Sequence, residues 1–290
     1  MKRTSLLSVV LSAVFAIAGC GGSAAPAENP SAPVSTAPPS EAPKDEAQVA
    51  VPTAVVAQEK YDVDFVEAKL SPELQRAPRV SIDVPGYDQS IQAKLVPSQR
   101  IIYKVDGMNE APSGSYLQFV LDNKPFRPVT NTTERINLVD LAGPGGLAPG
   151  EHIIVGFISR PNNESIKYSN GVAVRRFFVG KPTDSKWNSN KGPLLVFGSP
   201  RETVEGDPLI DFIVINAEIS KTKYSVRAHI SGPGIRPDGI QRVIDDWKPW
   251  IILSARDGAE YKIELQLLDP SGEEVVPYGT AERTITIKRP

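Results

Sequence analysis

The residue types that most often carry chemistry are scarce in this chain. Its 290 residues include two histidines, His152 and His229, and a single cysteine, Cys20. A zinc or copper site uses three or four histidine, cysteine or carboxylate ligands, so we expect no metal and no cofactor. Serine and aspartate are present, but the sequence contains no G-x-S-x-G nucleophile motif. We therefore predict that the protein is not an enzyme, with a hydrolase as the weakest alternative.

The stretch DDWKPW, residues 245–250, is the candidate binding site of the sequence. Trp247 could stack on a sugar ring while Asp245 and Asp246 accept hydrogen bonds from its hydroxyl groups. Sandwich domains also commonly bury a tryptophan between their sheets, and Trp250 leads directly into the apolar residues IIL. The pattern favours core packing for Trp250 and leaves Trp247 open between a surface and a core position.

Three other side chains have simpler interpretations. Trp187 lies in a polar stretch between two strand-rich regions and is expected to pack at that joint. Glu164 and Lys167, in the sequence NESIK, are interpreted as solvated turn charges.

The N-terminus predicts export. Lys2 and Arg3 precede an apolar run of thirteen residues, from Leu6 to Ala18, and small residues follow. This order is typical of a secretory signal peptide, and the run is shorter than the roughly 20 residues of a membrane-spanning helix. We assign residues 1–19 to the signal peptide.

The end of that segment resembles the bacterial lipoprotein signal. Ile17, Ala18 and Gly19 supply the aliphatic and small residues that precede the cysteine of this signal, Cys20. The resemblance implies cleavage between Gly19 and Cys20, a diacylglycerol group on the Cys20 sulfur and acylation of the new amino terminus. Several chains hold durably, because each buried CH₂ contributes about 0.8 kcal/mol. Gly21 favours the outer membrane if the source is Gram-negative.

Composition separates an anchor region from a folded region. Residues 21–58 contain seven prolines, ten alanines and no aromatic residue, so they bury too little apolar surface to fold. We expect residues 20–59 to be a lipidated, disordered linker. Removal of residues 1–19 leaves 30 basic against 34 acidic residues, a formal charge of −4 in place of −2. A mild acidic balance argues against nucleic acid as a partner.

From about residue 61 the apolar pattern has a period of two. YKIELQL, residues 261–267, alternates apolar and polar side chains, as does RTITIK, residues 283–288. Such alternation predicts half-buried antiparallel strands. Similar short runs recur between turn-rich clusters, which favours an all-β protein made of sandwiches.

A weak internal repeat predicts two domains. Residues 150–179 align without gaps to residues 258–287, an offset of 108, and the preceding strand patterns occur in the same order. We predict one sandwich over residues 60–182 and another over residues 190–290, joined at residues 180–192.

The sequences LDNKPFRPV and LAPGEHIIVGFISRPNNESIK resemble those of exported bacterial lipoproteins with immunoglobulin-like folds. The resemblance implies two tandem immunoglobulin-like β-sandwiches and no activity. The prediction is thus an envelope lipoprotein that presents a non-catalytic binding or scaffolding surface. Its partners are the membrane, through the lipid, and an unknown envelope protein or glycan. The alternative is a glycan-binding module that uses Trp247.

Overall fold

A computed structural model describes residues 60–168, 170–182, 184, 187–188 and 191–289. The predicted signal peptide, residues 1–19, and the predicted lipidated linker, residues 20–59 with Cys20, lie outside the described residues. No helix in the described ranges is long and apolar enough to cross a bilayer. The protein is nearly all β, as the alternating sequence patterns predict.

The first sandwich packs a three-stranded sheet, in the order β2-β4-β7, against a five-stranded sheet, in the order β3-β9-β8-β5-β6. Its core is formed mainly by aliphatic side chains and by Phe119 and Phe177. Its strands are β2 (Arg79–Val84), β3 (Gln89–Ile91), β4 (Arg100–Asp106), β5 (Tyr116–Leu121), β6 (Lys124–Pro125), β7 (Ile136–Asn137), β8 (Gly150–Ser159) and β9 (Ala173–Val179). A short helix, α1 (Leu138–Ala142), and two 3₁₀ turns, Ala93–Ser98 and Met108–Glu110, complete it.

The second sandwich packs a four-stranded sheet, in the order β1-β15-β12-β10, against a five-stranded sheet, in the order β11-β17-β16-β13-β14. Its separate core contains Phe65, Phe197, Phe212 and Tyr261 among aliphatic residues. Its strands are β1 (Asp64–Glu67), β10 (Leu194–Ser199), β11 (Thr203–Glu205), β12 (Leu209–Ile215), β13 (Ser225–Ser231), β14 (Ile240–Ile244), β15 (Trp250–Leu253), β16 (Glu260–Leu268) and β17 (Thr280–Lys288).

Strand β1 crosses the predicted boundary between the domains. Residues 64–67 lie in the range assigned to the first sandwich, but they pair antiparallel with β15, where Phe65 lies opposite Ile252. Both side chains are fully buried in the second core, so the burial of Phe65 places this segment there. The prediction that the two halves fold separately stays a prediction.

The two five-stranded sheets have the same topology. In each, a short strand runs parallel to the last strand, and the remaining pairs are antiparallel. The offset of 108 holds for β9 and β17, since Phe177 and Ile285 both face their cores. It is one residue short for β8 and β16, because core-facing Ile154 corresponds to Ile263 and not to Lys262. A slip of one residue exchanges the two faces of a strand.

The sandwiches meet through one sheet from each. Val120, Ile153, Val155 and Phe157 on the five-stranded sheet of the first sandwich contact an apolar cluster of the second. That cluster comprises Leu194, Val196 and Ile213 on the four-stranded sheet, with Trp187 of the joint. We call these two sheets the inner sheets and the other two the outer sheets. Trp187 is only 3% exposed, which confirms its packing at the joint.

The turn between β5 and β6 also docks on the second sandwich. Asp122 and Asn123 form a two-residue turn with φ values of 50° and 60°, and type I′ hairpin turns require positive φ at both of these positions. The Asn123 amide donates to the Leu195 carbonyl at 3.1 Å and accepts from the Phe197 N–H at 2.9 Å. Asn123 thereby hydrogen-bonds to β10, which is an edge strand of its sheet. The Arg283 guanidinium donates to the carbonyls of Asn123 and Phe197 at 3.0 and 2.9 Å.

Candidate functional site

Asp245, Asp246 and Trp247 lie in the loop between β14 and β15. The side chains of Trp247 and Asp246 have different surroundings. The half-buried Trp247 packs against both the second core and the layer between the sandwiches. Its indole N–H donates to the Phe212 carbonyl at 2.9 Å. Asp246 instead pairs with Lys248 at 2.6 Å, and Lys248 also contacts Glu67 at 2.7 Å. These contacts, the one with Asp246 first, raise the pKa of Lys248 above its ordinary value.

Trp250 packs in the second sandwich, as the sequence predicts. Its ring lies 5.0 Å from that of Phe65, at an interplanar angle of 38°. Trp247, in contrast, lines a pocket at the junction of the two sandwiches.

That cavity, the Trp247 pocket, has a volume of about 260 Å³. Three segments form its wall, and neither Asp245 nor Asp246 belongs to them. The segment after β1 contributes Leu70, Ser71 and Glu73, the chain after β8 contributes Arg160 and residues 164–168, and the third segment contributes Trp247.

A buried ion pair joins the sandwiches beneath this pocket. Lys167, from the chain after β8, pairs with Asp211 of β12, and their side chains are 10% and 0% exposed. The Ser165 backbone N–H donates to the other Asp211 oxygen at 2.6 Å. The interpretation of Lys167 as a solvated turn charge is therefore wrong, because this lysine neutralises a carboxylate in the interior.

The second charged group of the wall centres on Glu164. This residue is only 4% exposed, so its interpretation as a solvated turn charge is also wrong. The Glu164 carboxylate accepts hydrogen bonds from the Ser71 hydroxyl and from the Ser71 N–H, the latter at 3.3 Å. Arg160 lies beside it, with its Nε atom 3.9 Å from a Glu164 oxygen.

Two polar atoms of the pocket wall have no hydrogen-bond partner among the described residues. They are the Arg160 Nε atom and the Ser165 hydroxyl, and both are shielded from solvent. Arg160 as a whole is 8% exposed and Ser165 is 2% exposed. Buried polar groups in folded proteins nearly always have a partner, so these two mark the pocket as incomplete.

The histidines lie elsewhere. His152 contacts Asp122 at 2.7 Å and the Ala148 carbonyl at 2.8 Å. Burial lowers the pKa of His152, but these hydrogen bonds outweigh it and raise the pKa above its ordinary value. His229 lies 3.2 Å from the Asp238 carbonyl. In the ranges that the structure describes, no group of three or more histidine, cysteine or acidic residues is placed to hold a metal ion.

The chain after β8 supplies most of the pocket wall, but its own residues do not predict this. One signal was available, namely Asp211 in the otherwise apolar run LIDFIVI. A carboxylate in the middle of a buried strand needs a cation or hydrogen-bond donors nearby. The sequence does not show that Lys167 and the Ser165 N–H supply them.

Comparisons with known proteins give little beyond this. No family model and no curated protein matches the chain. The crystal structure of chicken CNTN1 FN1-FN3 domains is similar over 72% of this chain, with 7% sequence identity and a TM-score of 0.21. The similarity spans 66% of that chain, slightly under two thirds of its length. A TM-score this low leaves the functional interpretation to the site itself.

Proposed function

We propose that the protein is a non-catalytic binding module of the bacterial cell envelope, anchored by lipid on Cys20, with the Trp247 pocket as its binding site. The observation that carries the proposal is the pocket wall. An aromatic ring and two buried polar atoms belong to residues of this wall, and in the part of the chain that the structure describes these atoms have no hydrogen-bond partner. Binding pockets combine apolar and aromatic walls with a few placed polar groups, and this one has that composition.

The position of the pocket supports a binding role. Its wall comes from both sandwiches, and binding sites occur preferentially where domains meet. The two immunoglobulin-like sandwiches of the proposal act as a frame, because the apolar layer and the Lys167–Asp211 pair fix one inner sheet against the other.

The proposed anchor rests on the sequence Ile17-Ala18-Gly19-Cys20. Residues 21–58, rich in proline and alanine, separate Cys20 from the sandwiches. Gly21 favours the outer membrane of a Gram-negative source. Replacement of Cys20 by serine should move the protein from the detergent phase to the aqueous phase in Triton X-114 partitioning. Equal partitioning of the variant and the wild type would refute the anchor.

Crosslinking in intact cells tests the binding site. A diazirine amino acid at Leu70, which lines the pocket and is 44% exposed, should yield a crosslinked product. The matched control is Val276, which is 79% exposed and does not line the pocket. The product from Leu70 should disappear when Trp247→Ala is added. Identical products from both positions would contradict the proposal.

A further inference from the structure

We infer that the Trp247 pocket binds one neutral sugar ring, either free or at the end of a longer glycan. This inference rests on the proposed function, since it assigns a ligand class to the same site. Four properties of the wall lead to it: its unpartnered polar atoms, its charge balance, its apolar surface and its size.

The unpartnered atoms favour a ligand with hydrogen-bond acceptors, because both atoms can donate a hydrogen bond. The Arg160 Nε–H is a donor only, whereas the Ser165 hydroxyl donates and accepts. Neither has a hydrogen-bond partner among the described residues, although the Arg160 Nε atom lies 3.9 Å from a Glu164 oxygen. A ligand hydroxyl can accept from either atom, and it can also donate to the Ser165 oxygen. A ligand with several adjacent hydroxyls can bond to both at once.

The charge balance excludes a preference for anions. Arg160 lies beside Glu164 and Lys167 beside Asp211, so each cation already has its carboxylate. Glu73 adds a further acidic side chain to the wall. An anionic ligand would thus meet no uncompensated positive charge, and its desolvation would remain unbalanced. The favoured ligand is neutral.

Size and shape narrow the class further. Trp247, Ile166 and Leu70 give the wall an apolar part, which suits the carbon face of a ring. The volume of about 260 Å³ lies below the roughly 300–1,000 Å³ of pockets for drug-sized ligands. One hydroxylated ring therefore fits better than an extended chain.

Access to the polar atoms requires a small local change. Both lie behind the solvent-exposed surface of the wall, so binding requires a rotation of the Ser165 side chain about χ1 and a shift of the Arg160 side chain. Rotamer changes of this kind are common when binding sites are filled.

The direct test is calorimetry on the full chain, purified from membranes in a detergent without a sugar headgroup. Glucose, galactose, mannose and N-acetylglucosamine are titrated singly, then as oligosaccharides, with glucuronic acid as the anionic comparison. At least one neutral sugar should bind, and at about 100 times its Kd it should raise the Tm by about 5 °C or more. Tight binding of the oligosaccharide alone would identify a glycan end as the source.

Two serine variants provide a matched pair. Ser165→Ala removes the unpartnered hydroxyl in the pocket, and Ser115→Ala removes another unpartnered buried hydroxyl outside it. Neither change breaks a hydrogen bond, so both variants should fold as well as the wild type. Ser165→Ala should weaken sugar binding by roughly 3- to 10-fold, whereas Ser115→Ala should leave it unchanged.

The outcomes separate this inference from the proposed function. Absence of binding by every neutral sugar, stronger binding of glucuronic acid, or equal effects of the two serine variants would each overturn the sugar assignment. The crosslink from Leu70 would still stand in those cases, and its loss alone would overturn the binding role. Binding that Trp247→Ala and Ser165→Ala both weaken supports both.

Discussion

The two five-stranded sheets share one topology but differ in how many of their faces are buried. Strand β8 of the first sandwich corresponds to β16 of the second with an offset of 109. Ile153, Val155 and Phe157 on β8 pack between the sandwiches. The residues at the equivalent positions of β16 are polar and lie on its outer face: Lys262, Glu264 and Gln266.

This difference explains two sequence patterns on equivalent strands. A strand with one buried face alternates apolar and polar residues, whereas a strand buried on both faces consists of a nearly continuous run of apolar residues. YKIELQL shows the first pattern and HIIVGF the second. The same strand order thus serves as an outer sheet in one sandwich and as an inner sheet in the other.

The largest expected loss in the free energy of unfolding comes from placing, on the face of β8 between the sandwiches, a polar residue of the kind found on the exposed face of β16. Val155→Glu copies the residue found at the equivalent position of β16 and places a carboxylate in the layer between the sandwiches, where Val155 is 2% exposed. An unpaired buried charge is strongly unfavourable. We expect a loss of at least about 4 kcal/mol in the free energy of unfolding, measured by urea denaturation.

The reverse change is the control. Glu264→Val on the outer face should leave the free energy of unfolding nearly unchanged, because that face is not covered by the other sandwich. Similar losses for the two variants would show that these faces of β8 and β16 do not differ in burial.

The buried ion pair gives the next largest effect. Lys167→Met leaves Asp211 without its cation at 0% exposure, which should cost about 3–5 kcal/mol. Lys262 pairs with Glu282 at 2.8 Å on the outer sheet, where both side chains are 51% exposed. Lys262→Met should therefore cause no measurable loss.

A double variant completes this test. Lys167→Met combined with Asp211→Asn removes both charges, keeps an oxygen that can accept from the Ser165 N–H, and should recover part of the stability lost by Lys167→Met alone. Urea denaturation of the two variants measures the recovery. If the double variant is no more stable than the single one, the unpaired Asp211 is not the source of the loss.

A large-to-small substitution in the core, on the outer sheet of the second sandwich, tests whether the two sandwiches unfold together. Leu265 is fully buried in the second core, and Leu265→Ala should cost about 2–5 kcal/mol. Because the inner sheets share an apolar layer, we expect calorimetry to show a single transition that shifts as a whole. A second transition at the wild-type temperature would instead support the separate folding that the sequence predicts.

The sequence predicts the fold class well where one face of a strand is exposed. Strands β16 and β17 alternate clearly, and both were expected from YKIELQL and RTITIK. The contact between the inner sheets was not expected. Continuous apolar runs such as HIIVGF show that both faces are buried, but they do not reveal what covers the second face.

The candidate site was only partly predictable. Trp247 is distinctive in the sequence, yet its partners in the pocket wall come from residues 70–73 and 160–168. Those segments are brought together by β1 pairing with β15 and by the contact of the inner sheets. Such long-range pairings leave no local pattern, so the sequence alone predicts solvated charges at Glu164 and Lys167.

The smallest expected effect is a dependence of stability on pH that arises in the first sandwich. His152 on β8 faces Asp122 and the Ala148 carbonyl, with Glu151 beside it and the Phe177 ring stacked at 5.4 Å. Although burial opposes it, hydrogen bonding raises the pKa of His152 in the folded protein above the unfolded value of 6.5.

A raised pKa means that the folded state binds the proton more tightly than the unfolded state does. The stability contributed by protonated His152 is then complete below about pH 6.5. It is lost as the pH rises through the higher pKa of the folded protein. We expect the free energy of unfolding of the wild type to fall over this interval, and His152→Gln to reduce the fall. Urea denaturation at half-unit steps from pH 5.5 to pH 9, an interval of about three and a half units that brackets the histidine range, measures both curves. Parallel curves would mean that the Asp122–His152 contact does not favour the charged imidazole, and the docking of the adjacent turn on β10 would then be independent of pH.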